Sequence, residues 1–233
     1  MKFAVIVFPG SNCDHDCLYS VTRNIGHDAR FVWHRDTNLG DADCLILPGG
    51  FSYGDYLRSG AMAACSPIMD SVKKFAGAGG LVIGICNGFQ ILQEAKMLPG
   101  ALMRNDSLKF ICKDVFVRVE RIDTPFTCNC RVGEVLRVPV AHMDGNFTAD
   151  KKQIQKLSKE GRILFRYCNE DGEVGIDSNP NGSIESVAGI INEMDNVCGM
   201  MPHPERASEA LLGNDDGIKI FESIVRWHSS KGK

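Results

Sequence analysis

The sequence predicts an α/β fold in which one open, mostly parallel β-sheet is flanked by helices. Short apolar runs that are nearly continuous are typical of strands buried on both faces. They occupy residues 3–8, 29–33, 44–47 and 81–85. Stretches with apolar residues at helical spacing lie between these runs, at residues 13–25 and 60–75. This alternation favours right-handed crossovers and a parallel sheet.

The second half of the chain predicts an antiparallel extension of this sheet. Between about residues 107 and 140 polar and apolar residues alternate, as in 115–119. Segments 162–167 and 184–191 continue the pattern, with a turn signal at 179–182 between them. The C-terminal segment 215–228 predicts an amphipathic packing helix, whose apolar face carries Ile218, Phe221, Ile224 and Val225.

Composition favours a single domain over residues 1–233, because no linker, repeat or low-complexity tract interrupts the chain. The formal net charge is −3, and no run of lysine and arginine indicates a nucleic acid or a membrane surface as partner. Ten dispersed cysteines in a long apolar-rich chain favour a reducing compartment. The apolar start precedes Pro9 without a cleavage signal and no run reaches membrane length, so a soluble, cytoplasmic protein is expected.

One pentapeptide suggests the chemistry. Residues 84–88 follow an apolar run directly and have the glycine spacing of a nucleophile elbow, with Cys86 in the reactive position. The strained backbone of such a turn requires small residues two before and two after the nucleophile, which Gly84 and Gly88 supply. The following helix would direct free amides at the sulfur and favour the thiolate. The alternative is a buried structural cysteine at the start of a helix.

A cysteine nucleophile needs a base, and the base needs an acceptor that orients it. Residues 201–205 offer both. Their prolines favour extended backbone, so His203 and Glu205 should project to the same side. Taken singly, His203 could be a loop histidine and Glu205 an acid in the first turn of a helix. Together with Cys86 they predict a Cys-His-Glu triad.

Glycines after the third strand predict an oxyanion hole. Gly49 and Gly50 could present backbone N–H groups to a tetrahedral intermediate, and the Asn87 amide could be a second donor. An isolated Gly-Gly pair could equally be a tight turn.

Other residues give weaker signals. Zinc is not expected, because Cys128 and Cys130 lack a nearby histidine and Cys13 and Cys17 lack a second ligand pair. His142 and Asp144 are interpreted as a surface turn rather than as site residues. Asp55 and Arg58 could bind the ammonium and carboxylate groups of a substrate, or cap and pair at a helix start.

The motifs resemble those of the class I, triad-type glutamine amidotransferases. The resemblance rests on the elbow at 86–90 and on the His203-Pro204-Glu205 segment. Four further segments resemble the small glutaminase subunits of phosphoribosylformylglycinamidine synthases more specifically. They are PGSNCD at 9–14, GGFSYGDYLRSGA at 49–61, NPNGS at 179–183 and GMMPHPERA at 199–207. The resemblance covers essentially the whole chain and implies a flavodoxin-like core. Residues 142–145 depart from it, since they read HMDG where the family reads close to HGEG.

The resemblance implies that Cys86 attacks the side-chain amide of glutamine to give a thioester and ammonia, while His203 moves protons and Glu205 orients it. It implies oxyanion donors at Gly50 and Asn87. It also implies glutamine contacts from Gly49, Gly50, Phe51, Ser52, Asp55 and Gln90. No metal site is expected, given the cysteine spacing described above.

The resemblance further implies partners. No cofactor is expected in this chain, which has no phosphate-binding loop. A large synthetase subunit, using ATP and Mg, would convert formylglycinamide ribonucleotide to its amidine with the released ammonia, together with a small third subunit. Alternatives are an amidotransferase subunit serving a different synthetase, a cysteine-dependent hydrolase or redox protein of related fold, and an inactive scaffold.

Overall fold

The computed structural model describes residues 1–231, and one nine-stranded sheet dominates it. The order of strands across this sheet is β2-β1-β3-β4-β11-β10-β9-β6-β7, and β5 pairs with β8 in a separate two-stranded sheet. The strands in the described residues are β1 (Lys2–Val7), β2 (Asp28–Trp33), β3 (Cys44–Leu47), β4 (Leu81–Ile85), β5 (Ala101–Met103), β6 (Ile111–Val119), β7 (Val135–His142), β8 (Asn146–Thr148), β9 (Ile163–Cys168), β10 (Val187–Ile191) and β11 (Val197–Met200).

The sheet has a parallel half and an antiparallel half. Strands β2, β1, β3, β4 and β11 run parallel to one another. From β11 onward each neighbouring pair is antiparallel, through β10, β9 and β6 to β7. This architecture confirms the predicted α/β fold with an antiparallel extension. Strand β11, which joins the two halves, was not predicted.

Helices connect and flank the strands. They are α1 (Asp14–Tyr19), which continues as a π-helical turn over Ser20–Asn24, α2 (Ala61–Ala64), α3 (Ile68–Gly77), α4 (Asn87–Glu94), α5 (Lys151–Lys159) and α6 (Ile218–Lys231). The prediction of one helix over 60–75 was wrong, because Pro67 lacks the N–H that a continuous helix would need and instead caps α3. None of the helices within residues 1–231 has the length and apolar character needed to cross a membrane.

Burial follows position in the sheet. Strands β3 and β4 are buried along their whole length, as their continuous apolar runs predicted. Strand β2 is different, since only Val32 is buried and the side chains of Phe31 and Trp33 are exposed. The prediction that this run is covered on both faces was therefore wrong, because β2 is an edge strand.

The parallel half determines where chemistry can occur. Strands β1, β3, β4 and β11 are adjacent and parallel, so the segments that follow their carboxyl ends meet at one edge of the sheet. Those segments carry Cys13, Gly49, Cys86 and His203. Away from this edge, α6 packs Ile220, Phe221 and Ile224 into the core.

Candidate active site

Cys86 lies on a strained turn between β4 and α4. Its backbone has φ 49° and ψ −105°, a conformation that L-residues rarely adopt. A Cβ on Gly88 would lie 1.9 Å from the backbone oxygen of Leu47, and one on Gly84 would lie 2.6 Å from the backbone oxygen of Gly88. Both positions therefore require glycine, as expected for a nucleophile elbow.

The sulfur of Cys86 is buried at the edge of the sheet. Its backbone N–H donates to Met200 O (2.8 Å), which ties the elbow to β11. The thiol donates to Ala141 O at 3.7 Å, and it lies close enough to His203 to raise the pKa of the imidazole. The structure therefore brings the candidate nucleophile and the candidate base together across 117 positions of sequence, from 86 to 203.

His203 and Glu205 form a buried pair directly after β11. His203 Nδ1 lies 2.6 Å from Glu205 Oε1, and their side chains are 2% and 0% exposed. The expectation of extended backbone was wrong, because Pro204–Arg206 form one turn of 3-10 helix. The turn is compatible with proline, whose fixed φ suits a first helical position. The two side chains consequently meet across a turn.

The surroundings of His203 favour its charged form. Burial alone would lower the pKa of His203, but the Glu205 carboxylate and then Cys86 raise it well above its usual value, and the nearby Cys13 thiol raises it further. An imidazolium beside a thiol is the arrangement that stabilises a thiolate nucleophile.

A polar network that the sequence did not reveal holds the turn after β11. Ser20 Oγ and Ser208 Oγ each donate to the backbone oxygen of Glu205 at 3.0 Å. Asn24 Nδ2 donates to Ser208 O at 2.9 Å. Glu205 is therefore held in place by the helical segment that follows β1. Only the position of Ser20 and Asn24 on a helix starting at the same edge could have indicated this.

Two glycines follow β3, and the first of them lies against His203. A Cβ on Gly49 would lie 2.6 Å from His203 Cε1, so a larger residue would displace the imidazole. Gly50 has φ +139°, and its Cβ would lie 2.5 Å from Asn12 N. Phe51 N and Ser52 N are bonded to Gly10 O (2.9 Å) and Asn87 Oδ1 (3.1 Å).

The predicted glutamine contacts Ser52, Asp55 and Gln90 are connected through Asn87. Its Oδ1 accepts from Ser52 N, and its Nδ2 donates to Gln90 Oε1 (2.8 Å) and to Asp55 Oδ1 (3.4 Å). Gln90 Nε2 donates to the backbone oxygen of Asp144 at 2.7 Å. Burial, and then the nearby Asp144 carboxylate, raise the pKa of Asp55 to about 6.

A cavity of about 260 Å³ is lined in part by His203. Phe51 is 41% exposed at this cavity and its ring centre lies 6.3 Å from that of Phe110. The residues that line the cavity are Asn12, Cys13, Asp16, Gly50, Phe51, Phe110, Ala141, His203 and Arg206. This cavity gives solvent and small molecules a path to His203.

The structure gives specific contacts to three of the residues with weaker signals, and it buries one of them. His142 is 2% exposed and its Nδ1 lies 3.0 Å from Asn105 Oδ1, so it is not part of a surface turn. Asp144 accepts a hydrogen bond from Ser59 Oγ at 2.8 Å. Arg58 pairs with Glu94 at 2.5 Å, so its guanidinium is engaged on the surface of α4.

Comparison with known proteins gives a family for this arrangement. The model of the CobB/CobQ-like glutamine amidotransferase domain matches residues 1–228. The phosphoribosylformylglycinamidine synthase subunit PurQ of Koribacter versatilis is 56% identical over 225 residues, which cover 97% of both chains. The protein of the same name from Moorella thermoacetica is 55% identical over 227 residues, covering 97% of this chain and 96% of that one.

Solved structures of other proteins share the fold of this chain. A chain in the structure of PurLQS from Thermotoga maritima superposes with a TM-score of 0.86 at 45% identity, covering 97% of this chain and 98% of that one. A glutamine amidotransferase from the same organism has a TM-score of 0.57 at 15% identity, covering 99% of this chain and 83% of that one, and shares the fold. The chain therefore belongs to the glutamine amidotransferases, in the family of the PurQ subunits of phosphoribosylformylglycinamidine synthase.

Proposed function

We propose that this amidotransferase hydrolyses glutamine at Cys86, with His203 as the base and Glu205 as the residue that orients it. One observation carries the proposal: Cys86 lies on a strained elbow close enough to His203 to raise the pKa of the imidazole, and His203 Nδ1 is held by Glu205. This is the order of groups that nucleophilic acyl transfer requires.

The reaction proceeds in two stages. Cys86 Sγ attacks the side-chain amide carbon of glutamine, and His203 takes the thiol proton and delivers it to the departing nitrogen. The C–N bond breaks, ammonia leaves, and a γ-glutamyl thioester remains. Water then attacks the thioester carbon, with His203 accepting one proton of the water. The C–S bond breaks, glutamate leaves, and the thiol is restored.

Negative charge on the tetrahedral oxygen needs fixed donors. The backbone N–H groups of Gly50 and Asn87 are the proposed oxyanion hole, because the neighbouring N–H groups of Phe51 and Ser52 are bonded within the protein. Losing one such donor typically costs about 3 kcal/mol in the barrier. The requirement for glycine at residue 50 is consistent with this role, since its φ of +139° disfavours other residues.

The substrate is proposed to contact Gly49, Gly50, Phe51, Ser52, Asp55 and Gln90. The network through Asn87 supports the proposal, because it links three of these residues to the one next to the nucleophile. The Asp55 carboxylate could pair with the α-ammonium group of glutamine. A cation there would relieve its repulsion with Asp144.

The use of the ammonia follows from the family. PurQ relatives are subunits of phosphoribosylformylglycinamidine synthase, and a similar chain occurs in PurLQS of Thermotoga maritima. We propose that this chain delivers ammonia to a large ATP- and Mg-dependent synthetase subunit of the cytoplasm. That partner, with a small third subunit, would convert formylglycinamide ribonucleotide to formylglycinamidine ribonucleotide in purine biosynthesis. An enclosed route is required, because ammonium formed in water has no free electron pair for attack.

Weak glutaminase activity in isolation is part of the proposal. The loop that carries Ser52 and Asp55 has positive φ at Tyr53, Asp55 and Leu57 (54°, 54° and 69°). Tyr56 and Leu57 are 75% and 90% exposed. A bound partner could cover these apolar side chains and offset the strain, and so hold the loop in a conformation suited to glutamine.

The test uses the assembled synthase with Cys86→Ala. Glutamine-dependent synthesis should be lost, while synthesis driven by added ammonia should continue, because the partner's chemistry does not use Cys86. The matched control is Cys65→Ala, which removes an exposed thiol and should retain both activities. Glutamine-dependent synthesis that survives Cys86→Ala would refute the proposed nucleophile.

A further inference from the structure

A second thiol lies against the His203–Glu205 pair. Cys13 follows β1, is 8% exposed, and forms part of the wall of the cavity that opens onto His203. Its backbone N–H donates to Gly49 O at 3.2 Å, which fixes it next to the glycine that touches the imidazole. The proposed glutaminase reaction gives this thiol no role.

Cys13, His203 and Glu205 form a compact set of metal-ligand groups. One ligand atom from each, the sulfur, a ring nitrogen and a carboxylate oxygen, lie within 4.8 Å of one another. In a tetrahedral zinc site with bonds of about 2.0–2.3 Å, ligand atoms are roughly 3.3–3.8 Å apart, so side-chain shifts of about 1 Å would close the set. Within residues 1–231, no other group of this kind is found.

Two buried atoms of the His203–Glu205 pair have no hydrogen-bond partner among the described residues. They are His203 Nε2 and Glu205 Oε2, on side chains that are 2% and 0% exposed. Buried polar atoms without a partner are costly, and a cation bound to the carboxylate would give Glu205 Oε2 one. The charged groups near the cavity are Asp16, which adds negative charge, and Arg206, which opposes it.

We propose that Cys13, His203 and Glu205 bind a soft divalent cation such as Zn²⁺ or Cd²⁺, which enters through the cavity of about 260 Å³ and competes with the catalytic proton. Sulfur and imidazole ligands select such ions over Mg²⁺ or Ca²⁺. The three side chains leave a fourth position for water. Binding releases the protons held by the thiol and shared by the His203–Glu205 pair.

The consequence is reversible inhibition of glutamine hydrolysis. A cation on the pair stops His203 from accepting the proton of Cys86. This consequence rests on the proposed function, whereas the binding itself does not. The two can therefore fail separately.

Binding is tested on the full-length chain carrying Cys86→Ala, so that neither the nucleophile nor activity enters the readout. Cd²⁺ is titrated while the sulfur-to-cadmium charge-transfer absorbance and the calorimetric stoichiometry are recorded. Adding Cys13→Ser should lower the affinity of this site for Cd²⁺ by about 100-fold. The titration should therefore show one tight Cd²⁺ site fewer. The control is Cys65→Ser in the same background, which removes an exposed thiol and should leave this site intact.

A second variant guards against a folding defect at Cys13. His203→Gln in the Cys86→Ala background should remove the same site, and the thermal unfolding midpoint of each variant shows that it is folded. If folded Cys13→Ser or His203→Gln variants keep the same number and affinity of Cd²⁺ sites, the metal proposal is overturned. In the assembled synthase, Zn²⁺ should inhibit glutamine-dependent but not ammonia-dependent synthesis; equal inhibition of both would overturn the inhibitory role.

Discussion

His203 Nδ1 and Glu205 Oε1 lie 2.6 Å apart inside a turn that is almost fully shielded from water. The carboxylate holds the imidazole in one orientation and raises its pKa, despite the opposing effect of burial. Stability from this raised pKa is complete below the usual histidine value and is lost as pH rises through the folded-state pKa. Glu205 thus sets both the orientation and the charge of His203, the proposed base.

Glu205→Gln should therefore impair the base without removing it. The amide cannot stabilise an imidazolium, so kcat for glutamine hydrolysis should fall on the order of 10²–10⁴-fold. NMR titration of the ring protons should show a lower pKa for His203. Glu209→Gln changes a partly exposed acid in the same segment and should leave both quantities unaltered. An unchanged kcat in Glu205→Gln would show that the carboxylate does not orient the base.

Gly88→Ala should disrupt the elbow. The added Cβ would lie 1.9 Å from Leu47 O, and backbone cannot move away cheaply, so unfolding free energy should fall by about 3 kcal/mol or more. Gly77→Ala in α3 is the matched control, because its Cβ meets open space and alanine favours helix by about 0.5–1 kcal/mol. Urea denaturation measures both. Equal stability of the two variants would contradict the tight packing at the elbow.

Asp55→Asn should separate stability from substrate binding. The folded-state pKa of Asp55 is about 6, above its ordinary 3.8, so its ionisation destabilises the fold increasingly between these pH values. At pH 7 the asparagine variant should be more stable by about 1–2 kcal/mol after allowance for solvent screening, and at pH 3.5 the difference should nearly vanish.

The same variant should raise KM for glutamine, because it removes the proposed partner of the α-ammonium group. Asp43→Asn is a control for KM, because it changes an acid that pairs with the backbone N–H of Lys2 at the start of β1, away from the site. A stability gain that does not depend on pH would contradict the raised pKa of Asp55. An unchanged KM would contradict its contact with glutamine.

Much of the parallel half could be predicted, because continuous apolar runs and glycine-rich turns are local signals. Strand β11 could not. It has only four residues, one of which is Gly199. Glycine is needed there because a Cβ would lie 2.1 Å from the Phe89 ring, a contact that the sequence does not show. The break at Pro67 was visible in the sequence, but helical spacing on both sides of it suggested one continuous helix.

The site likewise combines residues that local sequence predicts with contacts that only the tertiary structure shows. Cys86 was predicted from the glycines around it, and His203 with Glu205 from their spacing, because these constraints lie within a few residues. The approach of Cys13 to His203 depends on β1 and β11, which are far apart in sequence and are not neighbours in the sheet. Burial of His142 likewise depends on Asn105, 37 positions away. Contacts of this kind become visible only once the strand order is known.

The central claim is that the Cys86 sulfur is the group that attacks glutamine. The most direct measurement is mass spectrometry of the assembled synthase after treatment with an electrophilic glutamine analogue. We predict one adduct, on Cys86, that excess glutamine prevents and that Cys86→Ala abolishes. An adduct on Cys13 instead, or no adduct in the active complex, would contradict the account.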